Sequence, residues 1–214
     1  ARPRRIRLAT QVLVLGYHHP LDIAKRYGTL DAVSGGRLVL GVGVGSLREE
    51  FDLLGATFEG RGSVADDAMR ALRASLGRTE PEYAGEHFVF GDVIVSPSAV
   101  QRHVLMWVGG RSMRSLRRAV TLGDGWVPFG LSTDELTRML AQHDLPADFE
   151  VVLPAGEPLD PANDPSGCRA ALESTRAAGA TIATATIMAR SGEHYCEQLS
   201  ALAALGSDIG AEFD

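Results

Sequence analysis

Strand-like and helical patterns alternate along the whole chain. Short apolar runs begin near residues 5, 38, 105, 125, 149 and 181, and each is followed by a helical pattern. Regular alternation of this kind predicts a parallel sheet, because each helix carries the chain back to begin the next strand in the same direction. Right-handed crossovers permit two common arrangements, an open doubly wound sheet and a (β/α)8 barrel. Six units, counted alone, favour the open sheet.

The apolar periodicity predicts where individual elements lie. The run that begins at Leu38 is continuously apolar, as expected for a strand that is buried on both faces. The first strand is predicted over residues 5–15 and the last over residues 181–188. Helices are predicted over residues 20–33, 63–76 and 164–178. A final helix after Ser191 is predicted to direct three side chains inward, those of Tyr195, Leu199 and Leu202.

The composition argues against several classes of protein. With 214 residues, 45% of them hydrophobic, the chain is long enough for one substantial domain with a core. The net charge of −6 and the lack of a basic stripe argue against nucleic acid as a partner. No apolar run approaches the roughly 20 residues that span a bilayer, and the N-terminus lacks the pattern of a signal peptide. We therefore expect a cytoplasmic protein that does not associate with a membrane.

The cysteines and histidines indicate neither a disulfide nor a metal site. Cys168 and Cys196 are the only cysteines, lie far apart in sequence, and are expected to be free, mostly buried thiols. The six histidines include no pair at metal-ligand spacing and no Cys/His cluster. We therefore predict no metal site.

Two ordered strings of residues resemble one known family. The first contains IRLATQVLVL (6–15), SGGR (34–37), LGVGVG (40–45) and EEF (49–51), and the second contains VGGRS (108–112) and GDGW (123–126). In order and spacing they resemble the third to sixth units of the bacterial luciferase-like family of flavin- and coenzyme F-420-dependent oxidoreductases. The resemblance implies a single (β/α)8 TIM barrel domain over residues 1–214 rather than an open sheet. Residues 78–103, which interrupt the alternation, are then an insertion that contains a strand or hairpin.

The resemblance also implies about two further β/α units before the point at which this chain begins. A closed barrel cannot omit part of its wall, since the strand edges at the gap would be unpaired. Two explanations are open: the molecule contains a segment that this chain lacks, or the barrel is open and closes by association. We favour the first, and so expect the first two β/α units to be absent from this chain alone.

Three glycines in residues 41–45 are predicted to lie just after a strand. They either let backbone N–H groups approach a phosphate or form a tight turn that requires positive φ. A Rossmann fingerprint is not present, because its third glycine would fall at Ser46. The resemblance implies that Val44, Gly45 and Ser46 lie beside the phosphate and ribityl chain of the cofactor. It also favours the deazaflavin, since some flavin-using relatives have an arginine at the position of Val44.

A second candidate phosphate site comprises Gly109, Gly110, Arg111 and Ser112, which follow a strand and open a helix. Free N–H groups at a helix N-terminus, a hydroxyl and a guanidinium together suit an anion. The alternative is simple N-capping of the helix by Ser112. The resemblance favours the phosphate.

The first strand contains polar residues within an apolar run. Thr10 and Gln11 require hydrogen-bond partners if they are buried. The resemblance implies a bulge at Ala9, Thr10 and Gln11, often with a non-proline cis peptide, that supports one face of the isoalloxazine ring. A plain buried strand is the alternative.

The loop after the first strand carries candidate substrate contacts. Tyr17 and His18 are predicted at the barrel mouth, where either could face the substrate. His19 is predicted to start a helix rather than to act in catalysis, and Trp126 is predicted to lie in the core. The acidic pair at residues 49–50 is predicted to form the solvated face of a short helix.

These features predict an oxidoreductase whose cofactor carries the reactive chemistry, while the protein positions that cofactor and excludes water. No catalytic side chain is assigned. We predict hydride transfer between coenzyme F-420 and a small organic substrate, in a bacterial protein that forms a homodimer. The alternatives are an FMN-dependent monooxygenase that uses molecular oxygen, a non-catalytic cofactor-binding or truncated barrel, and a Rossmann-type NAD dehydrogenase, which Ser46 disfavours.

Overall fold

The computed structural model of the chain describes residues 6–211. Residues 7–127 form one compact unit, and the described part of a second unit covers residue 6 and residues 128–211. Helices alternate with parallel strands in both units, as the sequence predicts.

Residues 7–127 hold most of the sheet. The strands are β1 (Leu8–Ala9), β2 (Leu13–Val14), β3 (Leu38–Gly43), β4 (Tyr83–Ala84), β5 (Val89–Phe90), β6 (Leu105–Gly109) and β7 (Gly125–Val127). The helices are α1 (Pro20–Ser34), α2 (Arg48–Leu54), α3 (Arg61–Ser75) and α4 (Met113–Leu122), and a 3-10 turn covers Leu15–Tyr17.

The strands of this unit, apart from β4 and β5, form a parallel sheet. β1 and β2 both pair with β3, β3 pairs with β6, and β6 pairs with β7. Every residue of β3 is buried, which confirms the prediction of a strand buried on both faces. β4 and β5 form an antiparallel hairpin within residues 78–103, which confirms a hairpin in that interruption of the alternation.

The strand predicted over residues 5–15 is interrupted. Residues 10–12 separate the positions of β1 and β2 that pair with β3, but only residues 40–41 separate their partners. The one extra residue makes a bulge, and the peptide bond between Gln11 and Val12 is cis. The prediction of a continuous strand is therefore wrong. The bulge and cis peptide that the family resemblance implies are confirmed, but one residue later, at residues 10–12, since Ala9 still pairs with Val39 in β1. Residue 5 lies outside the described residues.

Residues 128–211 continue the alternation. The elements are α5 (Thr133–Leu140), β8 (Glu150–Pro154), α6 (Pro165–Ala177), β9 (Ile182–Thr184) and α7 (Gly192–Asp208). β8 and β9 pair in parallel. Their core contains the buried side chains of Ala155, Leu159, Cys168, Leu202 and Leu205.

The inward face of α7 differs from the predicted one. Tyr195 is 45% exposed and Leu199 is 40% exposed, whereas Leu202 is buried as predicted. The helix instead buries Gln198, which is 0% exposed. Its amide oxygen accepts a hydrogen bond from the Ala162 N–H across 2.9 Å. The helix is therefore rotated so that a satisfied amide, rather than a ring, lies inward.

Two further predictions about this unit need correction. β9 ends at Thr184, well short of the predicted end at residue 188, and beyond it Ile187 makes only an isolated bridge. Cys168 and Cys196 are free, as predicted, but only Cys168 is buried. Cys196 is exposed because the rotation of α7 that brings Gln198 inward directs it to solvent.

Candidate functional site

Three loop segments of residues 7–127 meet at one edge of the sheet. They follow β2, β3 and β6, and they contain most of the residues predicted to bind a cofactor or substrate. The carboxyl ends of parallel strands lie at the same edge, which is where barrels and open sheets bind their ligands. Because β3 pairs with both β2 and β6, the three segments are neighbours.

The bulge packs directly against glycine backbone. The Thr10 hydroxyl donates to the Gly41 carbonyl oxygen across 2.7 Å. A Cβ on Gly41 would lie 1.8 Å from the Thr10 carbonyl oxygen, and a Cβ on Gly43 would lie 2.8 Å from Val12 Cγ2. Side chains at these two positions would therefore exclude the bulge from the sheet.

This packing corrects the interpretation of the glycines in residues 41–45. Gly41 and Gly43 lie within β3 rather than after it, because the strand extends to residue 43. Only Gly45 has a positive φ, of 81°. The requirement for a turn thus applies to Gly45 alone, and close approach of the bulge accounts for the other two.

The polar residues of the bulge differ in environment. The Thr10 hydroxyl has its partner within the protein, at the Gly41 carbonyl. Ala9 and Gln11 are exposed. The need for a partner within the protein, which burial imposes, therefore applies to Thr10, whereas a contact of Gln11 with a cofactor ring stays a prediction.

An arginine of α3 donates a hydrogen bond to the segment after β3. The Arg61 Nε–H donates to the Gly45 carbonyl oxygen across 2.9 Å. Val44 is half-buried and Ser46 is exposed. The segment therefore offers backbone and a hydroxyl to a ligand, while the conformation of its central glycine is fixed by the protein.

The segment after β6 turns into α4 at Ser112. The Ser112 hydroxyl accepts from the Ser115 N–H across 3.3 Å, and the Ser115 hydroxyl donates to the Ser112 carbonyl oxygen across 2.7 Å. N-capping by Ser112 is thus present, which confirms the simpler of the two interpretations without testing the other. Trp126, fully buried as predicted, donates its indole N–H to the Ser115 hydroxyl.

Tyr17 is bound to α2 at the mouth. Its hydroxyl donates to Glu50 Oε2 across 2.7 Å, and its ring lies edge-on to Phe51 at 4.8 Å. Burial, followed by the hydrogen bond and the charge of Glu50, raises the pKa of Tyr17 to about 12. The acidic residues 49–50 are exposed on a short helix, as predicted, although Glu50 also accepts the hydrogen bond from Tyr17.

The two adjacent histidines have different surroundings. His18 Nδ1 lies 3.7 Å from Asp22 Oδ2, on the first turn of α1. The His19 Nδ1 atom accepts from the Leu21 N–H across 3.2 Å, and the ring packs edge-on against Phe88 at 5.4 Å. His19 therefore caps α1, which confirms the prediction that it starts a helix.

Two buried aspartates bind backbone N–H groups of this unit and were not predicted. Asp31, which is 0% exposed, accepts hydrogen bonds from backbone N–H groups at Leu38 and in residues 100–101. Asp67 on α3 accepts from the Tyr83 hydroxyl and from two N–H groups of the β4–β5 turn. The only sequence signal for either is an acidic residue on the inward face of a helix.

The segments after β3 and β6 carry groups that could bind an anion such as a cofactor phosphate. Gly45 and Gly110 turn the backbone with positive φ, of 81° and 142°. Ser46, Arg111 and Ser112 are exposed beside them. Exposed hydroxyls and a guanidinium are groups that suit an anion, whereas the N–H groups of Gly110 and Ser112 already donate to the Val127 carbonyl oxygen and the Ser115 hydroxyl.

Other kinds of site receive no support from the described residues. Within residues 6–211, no group of three or more His, Cys, Asp or Glu side chains is placed to hold a metal ion. Among the helices of the same range, none is both long and apolar enough to cross a membrane.

Comparison with known families decides the class of protein. Residues 1–144 match the model of a family described as luciferase-like monooxygenase. The chain belongs to the luciferase-like monooxygenase family. The matched region contains all three segments of the candidate site, and the predicted family is confirmed.

The luciferase-like chain spans about half the length of the relatives it matches. An uncharacterised protein of Mycobacterium tuberculosis is 33% identical over 138 residues, which are 64% of this chain and 47% of that protein.

Solved structures support the luciferase-like TIM-barrel fold. The monooxygenase RslO1 from Streptomyces bottropensis has a TM-score of 0.80 at 19% identity, over 98% of this chain and 80% of its own. An F420-dependent secondary alcohol dehydrogenase in complex with an F420-acetone adduct has a TM-score of 0.60 at 15% identity, over 93% of this chain and 71% of its own. The expectation of two further β/α units stays a prediction.

Proposed function

We propose that this chain binds coenzyme F-420 at the carboxyl edge of its sheet and serves hydride transfer between that cofactor and a small organic substrate. The observation that carries the choice of cofactor is Val44, a half-buried, uncharged residue that follows β3. The family resemblance implies that some flavin-using relatives have an arginine at this position. A site without that cation favours the deazaflavin over FMN.

Each segment has a separate task in this proposal. The segment of Val44, Gly45 and Ser46 would hold the phosphate and ribityl chain, together with residues 109–112. Ala9, Thr10 and Gln11, at the bulge and directly before it, would support one face of the ring. When bound, the deazaflavin supplies the chemistry by accepting or donating a hydride.

Tyr17 and His18 would contact the substrate beside the ring. Because burial and Glu50 raise the pKa of Tyr17 to about 12, its Oη holds its proton throughout the neutral range. Tyr17 can therefore serve as a neutral group that orients a substrate, rather than as a base. The Glu50 carboxylate accepts the hydrogen bond from the Tyr17 hydroxyl and so fixes the direction of that hydroxyl.

An FMN-dependent monooxygenase is the second candidate. The matched family is described as luciferase-like monooxygenase, and the structurally similar RslO1 is a monooxygenase. In that case the same segments would hold FMN, and molecular oxygen would be a substrate.

A fluorescence titration of the purified protein with coenzyme F-420 and with FMN tests the choice. We expect tight binding of F-420 and weak binding of FMN under identical conditions. The reverse preference, followed by substrate-dependent oxygen consumption, would replace the first proposal with the second. Binding of neither would overturn both and leave a non-catalytic or truncated barrel.

A homodimer formed through the early helices is a further part of the proposal. Val33 on α1 is 81% exposed, which leaves an apolar side chain available on that helix. Sedimentation equilibrium of the purified protein would distinguish a dimer from a monomer.

A further inference from the structure

Phe51 of α2 lies between the two neighbouring loops of the candidate site. It is 0% exposed. A Cβ on Gly16 would lie 2.8 Å from its Cε1 atom, and a Cβ on Gly45 would lie 2.6 Å from its Cε2 atom. The ring therefore occupies the space that side chains on both loops would need, and it links the segment after β2 to the segment after β3.

A second ring extends this contact to an arginine. Phe58 packs edge-on against Phe51 with centroids 5.3 Å apart. The Arg61 guanidinium carbon lies 3.6 Å from the centroid of the Phe58 ring, and its Nη1 donates to the Phe58 carbonyl oxygen across 3.3 Å. With the guanidinium held on the ring in this way, its Nε–H is directed at the Gly45 carbonyl oxygen, 2.9 Å away.

The bond from Arg61 sets the direction of the following N–H group. The carbonyl of Gly45 and the N–H of Ser46 belong to one planar peptide, which is trans, so the two groups point in opposite directions. Holding the carbonyl toward Arg61 therefore directs the Ser46 N–H away from Arg61, on a residue that is exposed.

We propose that Arg61 is a positioning residue for the cofactor phosphate, acting through the Gly45–Ser46 peptide rather than by direct contact. This inference rests on the proposed function, because it takes the segment after β3 to hold the phosphate. The guanidinium acts by geometry: it fixes the peptide so that no rotation of that peptide is needed when an anion binds.

Arg48 provides a matched control on the same ring. Its guanidinium carbon lies 4.4 Å from the Phe58 centroid, but its Nη2 pairs with Glu59 at the surface. Arg48 thus shares the cation–π contact and the charge of Arg61 and differs in its hydrogen-bond acceptor. Substitution by lysine keeps the charge at either position and removes the planar fork of donors.

The first experiment compares Arg61→Lys with Arg48→Lys in binding a phosphorylated cofactor and its dephosphorylated analogue. FMN with riboflavin form one pair, which differs by the phosphate alone. F-420 with its deazariboflavin core form the other, which differs by the phosphate and the tail attached to it. We expect Arg61→Lys to lower the affinity for the phosphorylated ligand by about tenfold or more and to leave the affinity for the analogue nearly unchanged. Arg48→Lys should change the affinity for neither ligand.

Two outcomes of this titration would overturn the inference. Full retention of affinity by Arg61→Lys would mean that charge alone is sufficient. Equal loss for both ligands would mean that the substitution disturbs the fold rather than the phosphate segment, which thermal unfolding of both variants would also reveal.

A second measurement does not depend on any ligand. The order parameter of the Ser46 N–H bond, from NMR relaxation of the free protein, should fall in Arg61→Lys and stay unchanged in Arg48→Lys. An unchanged order parameter at Ser46 in Arg61→Lys would overturn the positioning role. If the wild-type protein bound none of the ligands, the proposed function would fail, and the order parameter would still decide whether Arg61 fixes this peptide.

Discussion

Tyr17 donates its phenolic O–H to Oε2 of Glu50 across 2.7 Å, and this bond joins the segment after β2 to α2. Burial is the largest cause that raises the pKa of Tyr17 to about 12, and Glu50 contributes the rest. We expect Glu50→Gln to lower this pKa without restoring the ordinary value of about 10, because burial persists. Ultraviolet titration of tyrosinate, with Tyr17→Phe to assign the signal, measures the change.

Glu49→Gln is the matched control for this substitution. Both glutamates are exposed on the first turn of α2, and Glu50 is the one that accepts from Tyr17. The control should leave the titration of Tyr17 unchanged. A shift of the same size in both variants would mean that the general negative charge of α2 acts, and not this hydrogen bond.

The raised pKa of Tyr17 also predicts a loss of stability at alkaline pH. Because its pKa of about 12 in the folded state exceeds the unfolded value of about 10, this contribution is fully present below pH 10 and is lost as the pH rises toward 12. Tyr17→Phe removes the contribution. The melting temperature of Tyr17→Phe should therefore fall less steeply between pH 10 and 12 than that of the wild type. Parallel curves of melting temperature against pH for the two proteins would contradict a stabilising contribution from protonated Tyr17.

Gly41→Ala tests the contact between β3 and the bulge. The new Cβ would lie 1.8 Å from the Thr10 carbonyl oxygen, which is backbone and cannot rotate away. We expect a loss of about 3 kcal/mol in the free energy of unfolding, measured by urea titration, as for overpacking of a tight core. Gly192→Ala is the control, since a Cβ there meets nothing within 4 Å and α7 begins at that residue. Similar losses in both variants would contradict the close approach.

The helices could be predicted from sequence because their burial is periodic and local. Along α3 and at its C-cap, apolar residues at helical spacing are buried: Ala65, Ala68, Met69, Leu72 and Leu76. The same reasoning failed on α7, where Gln198 lies inward. A polar side chain is buried only when it has a specific hydrogen-bond partner, here the Ala162 N–H. The periodicity of apolar residues carries no information about such a partner.

The bulge could not be predicted from the pattern of residues 6–15 alone. Its apolar residues are compatible with one continuous strand, and the interruption becomes visible only in the pairing with β3. Thr10 and its acceptor Gly41 are 31 positions apart. Only the resemblance to a family predicted the bulge, whereas the reason for the glycines in β3 required the structure.

Asp31→Ala tests the aspartate that the sequence did not reveal as a support. The carboxylate ties the end of α1 to the start of β3 and to residues 100–101, which are about 70 positions away. Its removal leaves three backbone N–H groups without this acceptor, and we expect a loss of about 3 kcal/mol in the free energy of unfolding by urea titration. Asp31→Asn, which keeps one acceptor oxygen, should lose less stability. Asp52→Ala on the exposed face of α2 should change the free energy of unfolding by at most about 0.5 kcal/mol.

Amide exchange should become faster at residues 100–101 in Asp31→Ala, because these N–H groups lose their acceptor. Slow exchange there, with wild-type stability, would mean that the loop is held by its other contacts.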